Sequence, residues 1–282
     1  MSIRRFALVL GALAAASAAG QGCSCSGQRF ERRYPQPTIE ALLAHVQKSG
    51  EQARSYVAES TMDYWVGNQR IRATVYAMGE RGAHVRFNAI NPATDTTAAD
   101  LACNGQGFAF LDYEHNCQLS GVCDRRAIAQ LLRVSMEPDD FLLLSVGSVP
   151  IIPQPTGTVR WDEKRGAEVV ELVSPDRAWR QTLVLDGRGG AGEWDVLESV
   201  VVDAQGAVDW KLANKDFRAV TASDGKVFRV PDASHFEQPR QKADLQVRWK
   251  DRKLNMELDR AKFELALPAG LARCGAKKPA AK

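Results

Sequence analysis

Residues 55–90 read "SYVAESTMDYWVGNQRIRATVYAMGERGAHVRFNAI". Apolar side chains recur at every second position, and the runs break at Gly67-Asn68 and at Glu80-Arg81-Gly82, where Gly and Asn supply the backbone angles of tight reversals. The stretch is therefore three antiparallel strands in a meander. Just upstream, in "TIEALLAHVQKSGEQARSY", the period changes. Thr38 can cap a helix, and Ile39, Leu42, Leu43 and Val46 fall on one face of it, enough to cover part of a sheet.

The same patterns organise the rest of the chain. "NPATDTTAA" is a loop, and residues 103–123, "CNGQGFAFLDYEHNCQLSGVC", follow it as a hairpin around Asn104-Gly105. A helical insertion comes next: Asp124 can cap "RRAIAQLLRV", and Pro138 suits the first turn of "PDDFLLLSVG". Pro150, Pro153 and Pro155 then forbid a continuing helix. Strands return in "TGTVRWDE", "AEVVELVS", "AWRQTLVLD", "WDVLESVVVD", "AVDWKLANKDF", "KVFRV", "DLQVRWK" and "KFELALP". Leu245, Val247 and Trp249 alternate with Gln246, Arg248 and Lys250, so these strands have one apolar face. The expected fold is mainly β with α, an open antiparallel barrel made by a curved sheet of about 11 to 12 strands and covered by a few helices.

The N-terminus places this fold outside the cytoplasm. Arg4 and Arg5 precede an apolar run from Phe6 to Ala19, which reads as a secretory signal peptide and is shorter than the roughly 20 strongly apolar residues that span a bilayer. Two processing outcomes are open. Gly20-Gln21-Gly22-Cys23 resembles a bacterial lipoprotein box, which makes Cys23 a lipid anchor; Ala16-Ser17-Ala18 suits ordinary signal peptidase and a soluble periplasmic product. With Ser24 after the cysteine, the expected location is the outer membrane, facing the periplasm. The expected organisation is a signal peptide at 1–22, a tether at 23–37, a folded domain at 38–270 and a basic flexible tail at 271–282. Composition suits a folded domain, with 45% hydrophobic and 25% charged residues. Loss of Arg4 and Arg5 with the leader lowers the formal charge from +3 to +1. No basic footprint for nucleic acid remains, and a monomer is expected.

In an oxidising compartment Cys103, Cys117, Cys123 and Cys274 form an even set, which favours disulfides over thiolate chemistry. Four cysteines allow three pairings, and sequence alone selects none. Cys117 with Cys123 and Cys103 with Cys274 is the arrangement carried forward. A metal cluster of Asp112, His115, Cys117 and Cys123 lacks any paired C-x-x-C spacing, so no metal is assigned.

Motifs for catalysis are missing. Gly187–Gly192 matches G-x-G-x-x-G, but a strand pattern follows where phosphate binding needs a helix N-terminus. His45, His84, His115 and His235 are scattered, and "VGSVP" lacks the second glycine of a nucleophile elbow. No enzyme activity and no cofactor are expected. An outer-membrane barrel would carry a lipid-facing apolar band with aromatic girdles, whereas here the outward faces are charged. The most informative apolar segment is "FLLLSVGSVPII", residues 141–152, readable as a buried covering helix or as a lid over a ligand cleft. The tryptophans Trp65, Trp161, Trp179, Trp210 and Trp249 are spread over the strands as core or rim.

The order of elements resembles the LolA/LolB-like lipoprotein-carrier superfamily over residues 38–270: an amphipathic helix leading into "SYVAESTMDYW", the meander "RIRATVYAMGERGAHVRFNA", the hairpin "LACNGQGFAFLDYE", the insertion from "IAQLLRV" to "DDFLLLSVG", and a closing "KFELALPAG". The resemblance implies an unclosed barrel whose apolar concave face, under a helical lid, receives acyl chains of lipids or lipoproteins. Tyr64, Val85, Phe87, Leu142, Leu143, Leu144 and Val146 are the hydrophobic ligand candidates; no arginine is assigned as the holder of the lid. The anchor at Cys23, the four further cysteines and the proline-rich connection fit a membrane-bound acceptor or divergent relative better than a shuttling carrier. The alternative is a structural or interaction lipoprotein whose cleft is filled by its own side chains.

Overall fold

The computed structural model describes residues 29–66, 69–187 and 193–275. Cys23 and the signal peptide lie outside them. Thr38 caps α1 (Ile39–Gln52) through its hydroxyl, which accepts from the Ala41 amide at 3.2 Å. The meander then runs through β1 (Ser55–Val66), β2 (Gln69–Glu80), β3 (His84–Asn91), β4 (Thr96–Asn104), β5 (Gly107–Asp112) and β6 (Cys117–Val122). From β2 to β6 each hairpin pairs a strand with the next through a turn that takes a positive φ, at Gly82 and Ala83, Asp95, Gly105 and Asn116. At Gly105 (φ 90°) a Cβ would meet the Gly82 carbonyl oxygen at 3.0 Å and the His84 ring at 2.8 Å, so only glycine fits.

After β6 the chain forms α2 (Arg125–Leu132), capped by the Asp124 carboxylate, and α3 (Pro138–Ser145), opened by its proline. It returns as β7 (Thr156–Asp162), β8 (Ala167–Val173), β9 (Trp179–Asp186), β10 (Asp195–Asp203), β11 (Val208–Thr221), β12 (Val227–Gln238) and β13 (Ala243–Leu254). A final short strand, β14 (Ala272–Arg273), pairs parallel to β6. All belong to one fourteen-stranded sheet, in the order β14-β6-β5-β4-β3-β2-β1-β13-β12-β11-β10-β9-β8-β7. The two meanders meet where β1 pairs with β13. β7 and β14 are the free edges, so the barrel is open. Residues 123–155 join β6 to β7, near one edge and at the other, and therefore cross the concave face.

The sheet has more strands than expected. The sequence did not isolate β6, whose "CQLSGV" lacks apolar alternation, or the two-residue β14. "KFELALP" is not a strand. Arg260–Phe263 form a 3-10 turn, and the residues after it run across the convex face of β3 and β4, held where Arg86 donates to the carbonyls of Lys262 and Glu264. Phe263 is buried there, which accounts for the alternation without a ladder. Of Gly187–Gly192 only Gly187 is described, and the next described element is the strand β10. The packed unit also runs past the limits of 38 and 270. Arg32 pairs with the fully buried Glu168 at 2.7 Å, Tyr34 packs edge-on against Trp194 at 5.1 Å, and Cys274 is bonded to the β6 edge.

The disulfide pairing carried forward from the sequence is wrong. The bonds are Cys103–Cys123 and Cys117–Cys274, with Cα separations of 5.7 and 4.9 Å. Cys117 begins β6 and Cys123 lies just beyond its end, about 20 Å apart at roughly 3.3 Å per residue, far outside the reach of a disulfide of about 7 Å. Cys117–Cys274 closes a separation of 157 residues and Cys103–Cys123 one of 20. Chain entropy then assigns about 5 kcal/mol to the first and about 3 kcal/mol to the second. Denaturant titration of Cys117→Ser/Cys274→Ser and Cys103→Ser/Cys123→Ser double variants should rank them in that order, and non-reducing peptide mapping should return the two pairs named here.

Candidate ligand site beneath the helical insertion

The floor of the bowl is the inward face of the strands. On β2, β3 and β4 the inward positions toward one rim carry Ala73, Ala89 and Ala99, where neighbouring positions carry Val75, Phe87 and Leu101. Small side chains on adjacent strands leave a hollow of about 390 Å³, walled by Tyr64, Ile71, Phe110 and Leu119 and roofed by Leu131 of α2. Arg133, Asn91 and His115 stand among its polar lining. A smaller hollow of about 240 Å³ lies across the bowl, between α1 and β12, where Val146 and Phe228 face His45 and Trp194. Burial pushes the His45 pKa down from its ordinary value, and its Nε2 lies 3.2 Å from the Trp194 backbone.

Between these hollows the bowl is filled by α3. Phe141 is fully buried, with ring centroids 4.9 Å from Phe87, 5.7 Å from Trp249 and 5.9 Å from Tyr56. Of the seven ligand candidates, Val85, Phe87, Leu142, Leu144 and Val146 lie together in this packed core, with Tyr64 packed against its margin; Leu143 is half-buried and turns instead toward Gly50 of α1. Tyr64 also lines the larger hollow and Val146 the smaller. Phe87 lies under the Phe141 ring and becomes reachable only when α3 leaves. Sequence reading missed Phe141 as the central wedge, although it begins the apolar run.

Polar groups from the sheet grip the insertion along its length. The Gln238 side chain accepts from the Ser135 amide at 2.7 Å and donates to the Ser135 carbonyl at 2.8 Å. Gln181 repeats the device on the far side, accepting from the Ile152 amide at 3.0 Å and donating to Pro150 at 2.8 Å. Asp139 accepts from the amides of Gly82 and Ala83 in the β2–β3 turn. Ser148 donates to Val46 of α1. Gln181 is a polar residue at an inward position before Leu183 and Leu185, and Gln238 one after Phe236, a signal that could have flagged them.

Arg252 holds the end of α3 and could not be found by alternation. Ala58 pairs with Arg252 and Ser60 with Trp249, so β13 carries one residue more than β1 between these pairs. That bulge turns both Trp249 and Arg252 inward. The guanidinium donates to the carbonyls of Ser145 and Pro231 and lies 4.8 Å over the Trp249 ring. Burial, with Arg218 adding to it and Asp232 opposing, pushes its pKa down to about 9, so it remains a cation at neutral pH. Its Nε has no hydrogen-bond partner.

An unclosed antiparallel bowl crossed by a helical cover defines the LolA-like fold. Two solved structures share it. A DUF1329 family protein from Desulfovibrio piger is 11% identical, with a TM-score of 0.53 over 81% of this chain and 98% of that one. A LolA superfamily protein from Nitrosomonas europaea is 10% identical, with a TM-score of 0.51 over 79% of this chain and 97% of that one. No family model matches the sequence, and no curated protein matches it. At such identities the likeness is one of fold.

Two outcomes test the fastening. Arg252→Met strands the Ser145 and Pro231 carbonyls and should cost about 1–3 kcal/mol, read as faster amide exchange over residues 139–149 with β8 and β9 unchanged. Asp140 faces a pocket lined by Trp210, Phe236 and Leu144. Burial raises its pKa to about 6, helped by Glu137 and Asp139 and opposed by Arg125 and a backbone hydrogen bond. The folded state thus binds this proton more tightly than the unfolded chain. Its stabilising contribution is complete below about pH 4 and lost as pH rises through 6, at most about 3 kcal/mol. Asp140→Asn should flatten that part of the stability–pH curve.

Proposed function

We propose that the protein is an exported binding protein, without catalytic chemistry, that takes acyl chains, free or carried by a lipoprotein, onto the concave face of its sheet. The observation that carries this reading is the way the bowl is closed. Its central floor is covered by a separate insertion rather than by bulky side chains of the strands, beside a hollow whose volume of about 390 Å³ falls within the range of about 300–1,000 Å³ common for small-molecule sites. A chain entering past Tyr64 would meet Ala73, Ala89 and Ala99, then reach Val85 and Phe87 by displacing Phe141. The shared fold with a LolA superfamily protein supports this by analogy alone. In this reading the protein is a monomer held to the outer membrane by lipid on Cys23, with the bowl facing the periplasm.

One observation favours the alternative, a structural or interaction lipoprotein with a self-filled cleft: Phe141, Leu142, Leu144 and Val146 are each 3% exposed or less. Native mass spectrometry of protein from its own envelope, followed by fluorescent fatty-acid titration of the delipidated protein, separates the two. Acyl binding predicts retained lipid, probe binding, and faster exchange of α3 amides on loading. Ala99→Phe should abolish the probe signal with little change in melting temperature. Absence of both lipid and probe binding from the wild-type protein would establish the self-filled reading.

A further inference from the structure

On the convex face, away from the insertion, β12 and β13 bring together three side chains that the acyl-binding reading does not use. His235 and Glu237 are two residues apart on β12 and so point to the same side of the sheet; Asp244 on β13 is the cross-strand partner of Glu237. His235 Nε2 lies 2.8 Å from Asp244 Oδ1 and 4.0 Å from Glu237 Oε1, and the ligand atoms of all three fall within 4.8 Å of one another. Each side chain is partly exposed, between 31% and 38%. A small ion can therefore reach them from solvent.

We propose that His235, Glu237 and Asp244 form a zinc-binding site on the outer surface of the sheet. Zinc takes imidazole nitrogen and carboxylate oxygen at about 2.0–2.2 Å, which sets the separation between donors in a tetrahedral shell at about 3.4 Å. The observed 2.8 and 4.0 Å bracket that value. Small rotations of the carboxylates then suffice, and two hydrogen-bonded strands hold the backbone positions in register. One imidazole with two carboxylates suits zinc better than magnesium or calcium, which prefer all-oxygen shells. Three protein ligands leave a fourth position open to water.

Lys211 modulates the site. Its Nζ donates to Glu237 Oε2 at 2.9 Å from the adjacent strand β11, which leaves Oε1 turned toward His235. This contact orients the carboxylate, and its positive charge lowers the affinity for a second cation.

Isothermal titration of zinc chloride into the purified full chain tests the assignment. Wild-type protein should bind one equivalent that His235→Ala, Glu237→Gln and Asp244→Asn each weaken by at least about tenfold, since loss even of outer partners of a metal ligand costs about 10–100-fold. Lys211→Gln should tighten binding several-fold. His115→Ala removes another exposed imidazole, one bonded to Asp112, and should leave zinc binding unchanged. X-ray absorption of the zinc-loaded chain should show one imidazole and an otherwise oxygen shell. Zinc binding unaltered by His235→Ala, or abolished by His115→Ala, would overturn the proposal, as would no binding at millimolar zinc. Circular dichroism of each variant establishes that a lost signal is not a lost fold. Because the probe is the ion alone, the result is independent of whether the bowl takes acyl chains.

Discussion

A curved sheet that does not close must cover its concave wall with something else. Here that wall is lined by Tyr56, Phe87, Leu101, Leu245, Val247 and Trp249, all buried, and leaving any one of them wet would cost about 1.5–3 kcal/mol. The two meanders begin and end so that the connection from β6 to β7 has to pass over this surface. Phe141 is the consequence: it fills the deepest part of the bowl and meets aromatic rings from β1, β3 and β13 at once. Edge strands, insertion and core are thus one solution to one burial problem.

Apolar burial holds the insertion down, and the polar grips fix where it lies. A hydrogen bond contributes only about 0.5–1.5 kcal/mol net, so the double contacts of Gln238 and Gln181 are modest beside the burial of Phe141, Leu142 and Leu144. Their role is registry. Each side-chain amide engages the insertion backbone as a neighbouring strand would, and satisfies groups that would otherwise be buried unpaired. Arg252 does the same for the end of α3, at the desolvation cost visible in its lowered pKa.

Much of this arrangement was legible in the residues. Alternation in residues 55–90, the turn residues between runs, the caps Thr38 and Asp124, and Pro138 at the first turn of α3 locate the first three strands and the three α-helices of the described residues. What local pattern could not convey was geometry set by distant partners. The bulge on β13 reverses the side on which Arg252 lies, and nothing in "VRWKDRKL" announces it. Cysteine pairing depends on where the chain goes after β6 and on the return of Cys274 to the β6 edge. "KFELALP" alternates as a strand would, yet its partner is the convex face of the sheet. The hollow was hidden for another reason: Ala73, Ala89 and Ala99 are unremarkable singly, and only the register of β2, β3 and β4 makes them neighbours.

Cys103–Cys123 ties the residue before the α2 cap to an inward position of β4. A cover stapled at its stem cannot drift away when displaced. It competes for the floor it has left at an effective concentration in the millimolar range or above, whatever the dilution of the protein. In the proposed acyl-binding function a guest would have to out-compete a permanent, unimolecular rival, and weak amphiphiles that merely collide with the rim would be rejected. Selectivity of that kind would be a property of the protein's own covalent chain, insensitive to protein concentration.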